Sequence, residues 1–253
     1  MATAEQTVSG QPIYSDNSVE TLVRLGDHTL SRGDVASAIA MYRRAHAADQ
    51  TELLPLLKLG SALASFGSYD EAAGAFRAAL SIDPINVEAL RGMGNAYLAL
   101  NEPDLALPNL EAAIAIRPDP RASNSLGVAY DLLGRHDEAQ EAYGRGLAVT
   151  PADLDIATNM ALSLSLSGMH DDAVRLMRRT ATAPSATARH RQNLALVYGL
   201  ADRAVEARAV ARLDLGEAAV EQNMAFYAML QRIDDSRSRA AAIGESGGAA
   251  IAP

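Results

Sequence analysis

Residues 53–86 read LLPLLKLGSALASFGSYDEAAGAFRAALSIDPIN. Two amphipathic helical stretches meet at Gly67, where a helix end favours a residue tolerant of left-handed geometry, and Pro84 stops the second. Moving outward from this stretch, the same pattern returns. Gly26, Gly60, Gly94 and Gly127 each follow Leu or Met, at spacings of 34, 34 and 33, and the register continues at Ala161 and Ala195. Twelve residues after each stands an alanine: Ala38, Ala72, Ala106, Ala139, Ala173 and Ala207. Seven further on come Ala45, Ala79, Ala113, Gly146, Thr180 and Asp214, and three before that set come Tyr42, Phe76, Leu110, Tyr143, Met177 and Ala211. Self-similarity at this period means stacked helix pairs, each of which buries its apolar face only against its neighbours.

These positions resemble the tetratricopeptide repeat (TPR), a helix-turn-helix unit of 34 residues. The resemblance covers units 19–52, 53–86, 87–119, 120–153, 154–187 and 188–221. It implies an all-α, right-handed α-solenoid of six TPR helix pairs plus a C-terminal capping helix. Small residues at the eighth and twentieth positions let paired helices approach closely, and a small twenty-seventh admits the next unit. Gly33, Gly134 and Gly168, with Asn101 in the third unit, take the turn position of Gly67, and Pro118 and Pro151 take that of Pro84. The large residue at position four is Leu22, Leu56 and Leu90, then Ser123, Ala157 and Arg191, which predicts looser packing there in the last three units. Asp214, a charge at a normally small position, marks the sixth unit as terminal. Residues 215–233 follow as a capping helix, with Ala219, Val220, Met224, Phe226, Tyr227 and Leu230 on one stripe. Residues 1–18 and 234–253 carry no periodicity and are expected to be flexible.

Composition agrees and narrows the function classes. The chain has 253 residues, 49% of them apolar and 21% charged, with 51 alanines, 3 Phe and no Trp. That small-residue diet suits closely crossing helices. A net charge of -9 argues against nucleic acid and anionic membrane surfaces, which require clustered Lys and Arg. The absence of cysteine removes disulfides, thiolate metal sites, thiol nucleophiles and cysteine-borne lipid. No run reaches 18 apolar residues, and MATAEQTVSGQ has neither a basic nor an apolar leader region, so no transmembrane helix or signal peptide is expected.

Catalytic chemistry is not indicated. His136 and His170 share the seventeenth position of neighbouring units, a structural placement weighed against a metal pair; no HExxH spacing favours the pair. Gly92-Met-Gly94 and Gly144-Arg-Gly146 follow no strand, and Asp171 with Asp172 opens a helix, where negative charge favours the dipole. No nucleophile has a base in view. The expectation is no enzyme, no cofactor and no metal.

In the TPR family the first helices of the units line a concave surface, and positions two, five, six, nine, twelve and thirteen point into it. Those positions carry Arg24, Lys58, Arg91, Arg121 and Arg189 against Glu20, Asp27, Glu88, Asp131 and Asp155, a nearly neutral groove. The carboxylate clamp of the chaperone adaptors is matched only by Arg91 and Asn95, Ser125, then Asp155 and Asn159, with Asp155 negative where the clamp needs a cation. The candidate groove is therefore a polar set, Arg91, Asn95, Asn124, Asn159 and Asn193, beside an apolar floor of Leu98, Val128, Leu132, Leu162, Leu166, Leu196 and Leu200. Amides donate to and accept from a peptide backbone, and the leucines either bury a ligand's apolar side chains or pack against neighbouring helices.

The stretch 191–230, RQNLALVYGLADRAVEARAVARLDLGEAAVEQNMAFYAML, is more particular. It resembles the C-terminal end of the TadD-like TPR proteins of Flp/Tad (tight adherence) pilus systems. The resemblance implies a bacterial pilus assembly factor or pilotin at the periplasmic, inner face of the outer membrane. Its partner would be a protein or peptide, such as a segment of the secretin pore subunit. The lipid-bearing cysteine of that family is missing here, so either a lipobox has been removed or this member is not lipidated. A cytoplasmic TPR scaffold or secretion chaperone is the alternative.

Overall fold

The structure, a computed structural model, describes residues 18–245. The described residues form two compact units, divided between Pro84 and Ile85. In the first, α1 (Val19–Ser31) pairs with α2 (Val35–Ala48) and α3 (Leu53–Ser65) with α4 (Tyr69–Ile82); α3 also packs on α1 and α2. In the second, α5 (Val87–Ala99) pairs with α6 (Pro103–Ile116), α7 (Pro120–Leu132) with α8 (His136–Val149), α9 (Leu154–Leu166) with α10 (His170–Ala181), and α11 (Ala188–Leu200) with the short α12 (Ala204–Ala211). Helix α13 (Glu217–Gln231) covers α11 and α12, and α14 (Ser236–Glu245) follows. The fold is all-α among the described residues.

The helix ends have local causes. Side chains of Ser18, Asp34, Asn86, Asp119 and Asp153 accept backbone N–H groups in the first turns of α1, α2, α5, α7 and α9. The turn inside each pair needs one left-handed residue. Gly33, Gly67, Gly134 and Gly168 supply it, Asn101 does so in the third pair at φ 59°, and Asp202 in the sixth at φ 58°.

Helix spacing follows from one contact repeated within pairs. A Cβ placed on Gly60 of α3 would stand 2.7 Å from the Phe76 ring of α4, and one on Gly127 of α7 would collide with the Tyr143 ring of α8. Gly26 meets Tyr42 and Gly94 meets Leu110 in the same way. Position eight is thus empty space filled by the large residue at position twenty-four. The alanines at position twenty are all fully buried at the crossing.

Asp214 has a different explanation from the terminal position of its unit. In the fourth pair position four, Ser123, stands against position twenty-seven, Gly146, and in the sixth the residues at these two positions, Arg191 and Asp214, are charged and meet. Arg191 Nε donates to Asp214 Oδ2 at 2.9 Å, with a second guanidinium contact to Oδ1, and Gln192 Nε2 donates to the same carboxylate at 3.2 Å. The Arg191 bond holds the Asp214 carboxyl below the usual carboxylate range. Asp214→Ala alone is expected to destabilise by about 1 kcal/mol, because it strands a half-covered guanidinium. Arg191→Leu with Asp214→Ala restores the pattern of the early units and is expected to be no less stable than the wild type in urea melts. The looser packing predicted at Ser123 and Ala157 is not found: both are buried, and Ile156 reaches to 3.0 Å of where a Gly146 Cβ would stand, filling that joint.

The capping helix lies within the expected 215–233, with Val220, Tyr227 and Leu230 buried. Tyr227 packs over Gly199 of α11, where a Cβ would approach its ring to 2.6 Å. The expectation of a flexible 234–253 is corrected for its first half: residues 236–245 form α14, with Ala240 and Ile243 buried, because a helix of this length gains from docking what it lacks in isolation. Residues 246–253, and 1–17 of the N-terminal segment, lie outside the described residues.

Candidate functional site: a polar recess and its apolar neighbour

In the second unit the first helices of successive pairs run side by side: α5 touches α7, α7 touches α9 and α9 touches α11. This shared face brings Arg91 and Asn95 of α5, Arg121, Asn124 and Ser125 of α7, Asp155 and Asn159 of α9, and Arg189 of α11 around one recess of about 450 Å³. Asp153, Ile156 and Thr158 complete the lining. Asp153 is there because it caps α9, a local role that is legible as a helix start but not as a place in a recess.

Four of the five polar residues expected from sequence line the recess. Asn159 Nδ2 donates to Asn124 Oδ1 at 2.9 Å, and both residues are buried. Asn95 Oδ1 is shielded from solvent and accepts no hydrogen bond. Arg91 Nε stands 3.4 Å from Oδ2 of Asp119, the residue that caps α7. Asn193 is buried in α11 and is not part of the lining. Asp155, read as the charge that spoils a clamp, is shared with Arg189 at 4.0 Å and His190 Nε2 at 3.9 Å. The recess therefore presents amides and guanidinium groups around a partly compensated carboxylate.

The apolar floor is corrected. Leu98 and Val128 are buried in one hydrophobic cluster, against which Leu132 packs half-buried. Leu162, Leu166, Leu196 and Leu200 are buried in another, at 0 to 7% exposure. They fill the spaces between helices, and the second cluster also contains Ala240 and Ile243 of α14. None of the seven lines the polar recess.

Asp131, assigned to the groove by position, is instead buried at 1% exposure. The hydroxyls of Tyr143 on α8 and Ser163 on α9 donate to it at 2.9 and 2.7 Å, and His136 Nδ1 lies 2.7 Å from its Oδ1. Burial pushes its pKa up, opposed by the bonds to His136, Ser163 and Tyr143. This knot ties α7, α8 and α9 together. Ser163 contacts the carboxylate and not the imidazole, so the three do not form a nucleophile and its base. Sequence reading placed His136 beside a turn but missed its partner, which sits five residues earlier across that turn. Among the described residues no group of three or more His, Asp and Glu is placed to hold a metal ion, and no helix is long and apolar enough to cross a membrane.

The buried amide pair makes a test of the recess. Replacing Asn124 or Asn159 singly by Ala breaks the buried amide–amide bond and leaves one of its two groups in place, at about 1 to 3 kcal/mol, whereas replacing both removes donor and acceptor together and is expected to be milder than the sum. Thermal melts of the two singles and the double check this.

Three models of the tetratricopeptide repeat match the chain, at residues 23–86, 63–127 and 120–153, and together span half of it. No curated protein matches it in sequence. Among solved structures it is similar to MamA, with 27% identity over 66% of this chain and 92% of that one and a TM-score of 0.59. It shares its fold with PilW, a widely conserved type IV pilus biogenesis factor, at 21% identity over 81% of this chain and 96% of that one, TM-score 0.71. It shares it also with PilF of Pseudomonas aeruginosa, at 21% identity over 83% and 98%, TM-score 0.66. The matched repeats and the helix pairs that continue them through Ala211 lead to one conclusion: the chain belongs to the tetratricopeptide repeat family, whose members are protein-interaction modules and not enzymes.

Proposed function

We propose that this protein-interaction scaffold serves a Flp/Tad pilus as an assembly factor or pilotin, holding a segment of the secretin against the face formed by α5, α7, α9 and α11. The observation that carries the binding part is the polar recess. Asn95 carries a carbonyl with no hydrogen-bond partner, Asn124 and Asn159 are bonded to each other at its lining, and Arg91, Arg121 and Arg189 stand beside them. Such a set takes an extended backbone through its amides. The pilus part is supported by the resemblance of residues 191–230, which fold here into α11, α12 and the cap α13 that closes the last pair. PilW, a type IV pilus biogenesis factor, carries the same fold, and the location we propose is the inner face of the outer membrane.

Deleting the gene is expected to reduce both surface pili and secretin multimers in the outer membrane. A copy carrying Asn124→Ala with Asn159→Ala is expected to restore neither in full while accumulating normally. Wild-type amounts of pili and multimers in the deletion strain would leave a scaffold of another assembly, the cytoplasmic one included. Because cations and carboxylates nearly balance in the recess, binding of the secretin segment is expected to change little between about 50 and 300 mM salt.

A further inference from the structure

Beside the polar recess, the same helices carry a segment of the chain itself. Helix α14 packs on α7 and α9, the first helices of the fourth and fifth pairs. Ala240 and Ile243, three residues apart and therefore on one face, are buried at 0 and 1% exposure in the cluster that holds Leu162 and Leu166. Its approach is fixed by polar contacts. Asp235 accepts from Ser238 N at 2.8 Å, and the Arg239 guanidinium donates to the carbonyls of Leu230 and Ile233 at the end of α13, at 3.2 and 2.5 Å. Arg237 sits over Gly134, at the end of α7.

We propose that α14 is a resident occupant of the partner-binding face, and that a helical segment of a protein partner displaces it. That segment would carry a small residue and an aliphatic residue three positions later. The proposal rests on the reading of this face as the one that binds partners. Three features of α14 argue for exchange over permanent core. It is ten residues long, a length marginal for an isolated helix in water. It buries one large side chain, Ile243. It hangs on the short stretch after α13 and is the last helix among the described residues, so its release breaks no helix pair. The resident also states the chemistry of its competitor: the seat accepts a methyl group at one turn and a β-branched side chain at the next, and leaves Arg237 and Ser238 in solvent. While α14 is seated, a competing helix is admitted only in the fraction of molecules that have released it, which lowers its apparent affinity by that fraction.

The chain has no cysteine, which permits a clean lock. A Cβ on Gly134 would lie 3.5 Å from that of Arg237, within the span of a disulfide. Gly134 has φ +74°, a turn position that only Asn101 and Asp202 occupy with a side chain among the described residues, so Gly134→Cys carries backbone strain, and a circular dichroism spectrum and melt of the reduced double variant establish that it folds before the lock is read. The probe is a labelled peptide with the sequence of residues 234–245, titrated into full-length chains by fluorescence anisotropy. The chain with Ile243→Asp, its own helix released, is expected to bind the peptide about tenfold or more tightly than the wild type. The chain with Gly134→Cys and Arg237→Cys is expected to bind it when reduced and at least about tenfold more weakly when oxidised. A peptide carrying the Ile243→Asp change is expected not to bind. Failure of the disulfide to form, equal affinity in oxidised and reduced chains, or no binding to any form overturns the proposal. If the secretin segment needs Asn124 and Asn159 but ignores the lock, this inference fails and the function proposed above stands; if the peptide obeys the lock but pili are normal in the deletion strain, the reverse holds.

Discussion

Asp131→Ala is expected to destabilise the second unit by about 3 to 5 kcal/mol, since it removes one buried acceptor from three groups that have no access to water in its place. Tyr143 is fully buried, Ser163 is at 0% exposure and His136 at 8%, with its Nε2 already lacking a partner. The sign of the pH dependence follows from burial, which raises the Asp131 pKa. The folded chain then keeps a proton on this carboxyl that the unfolded chain gives up, so its contribution is full below the ordinary carboxylate range and declines as the pH rises through its folded value. The stability difference between wild type and Asp131→Ala is expected to be larger near pH 4 than near pH 8, measured by urea melts at a series of pH values with about 1 kcal/mol resolved. A difference that grows with pH would mean that the ion pair with His136 outweighs desolvation.

The second large effect concerns the contact that sets the spacing within pairs. Gly60→Ala is expected to cost about 1 to 3 kcal/mol, because the added methyl meets the rigid, buried Phe76 ring at 2.7 Å and the two helix backbones must separate. The chain itself indicates the remedy. Where position eight is Ala161, position twenty-four is Met177, an unbranched and adaptable side chain, fully buried in the cluster that also holds Ala161. Gly60→Ala combined with Phe76→Met is therefore expected to be more stable than the sum of the two single changes, by about 1 kcal/mol in a double-mutant cycle. Strict additivity would show that the glycine is required for something other than the ring.

What the sequence by itself determined is the repeat. Helix type, pair boundaries, turn residues and the capping helix follow from local periodicity, capping side chains and left-handed turn positions, all of which act within one 34-residue unit. The polar recess was largely legible too, because the first helices of successive units stand in register and equal positions become neighbours: Arg91, Asn95, Asn124 and Asn159 converge as their spacing implies. Tertiary structure decided matters in which one position has two possible neighbours. Leu162 and Leu196 occupy positions that face a groove or a packed helix depending on how deeply the next element sits, and burial among α9, α11 and their partners settled that. Asp131 shares its face with groove residues, yet the side chains of α8 and α9 close over it, a result of three helices meeting that no single unit encodes. Residues 236–245 carry too little periodicity to announce a helix. They fold because the apolar seat over α7 and α9 gives Ala240 and Ile243 somewhere to be buried, and that seat exists only once the repeats are assembled.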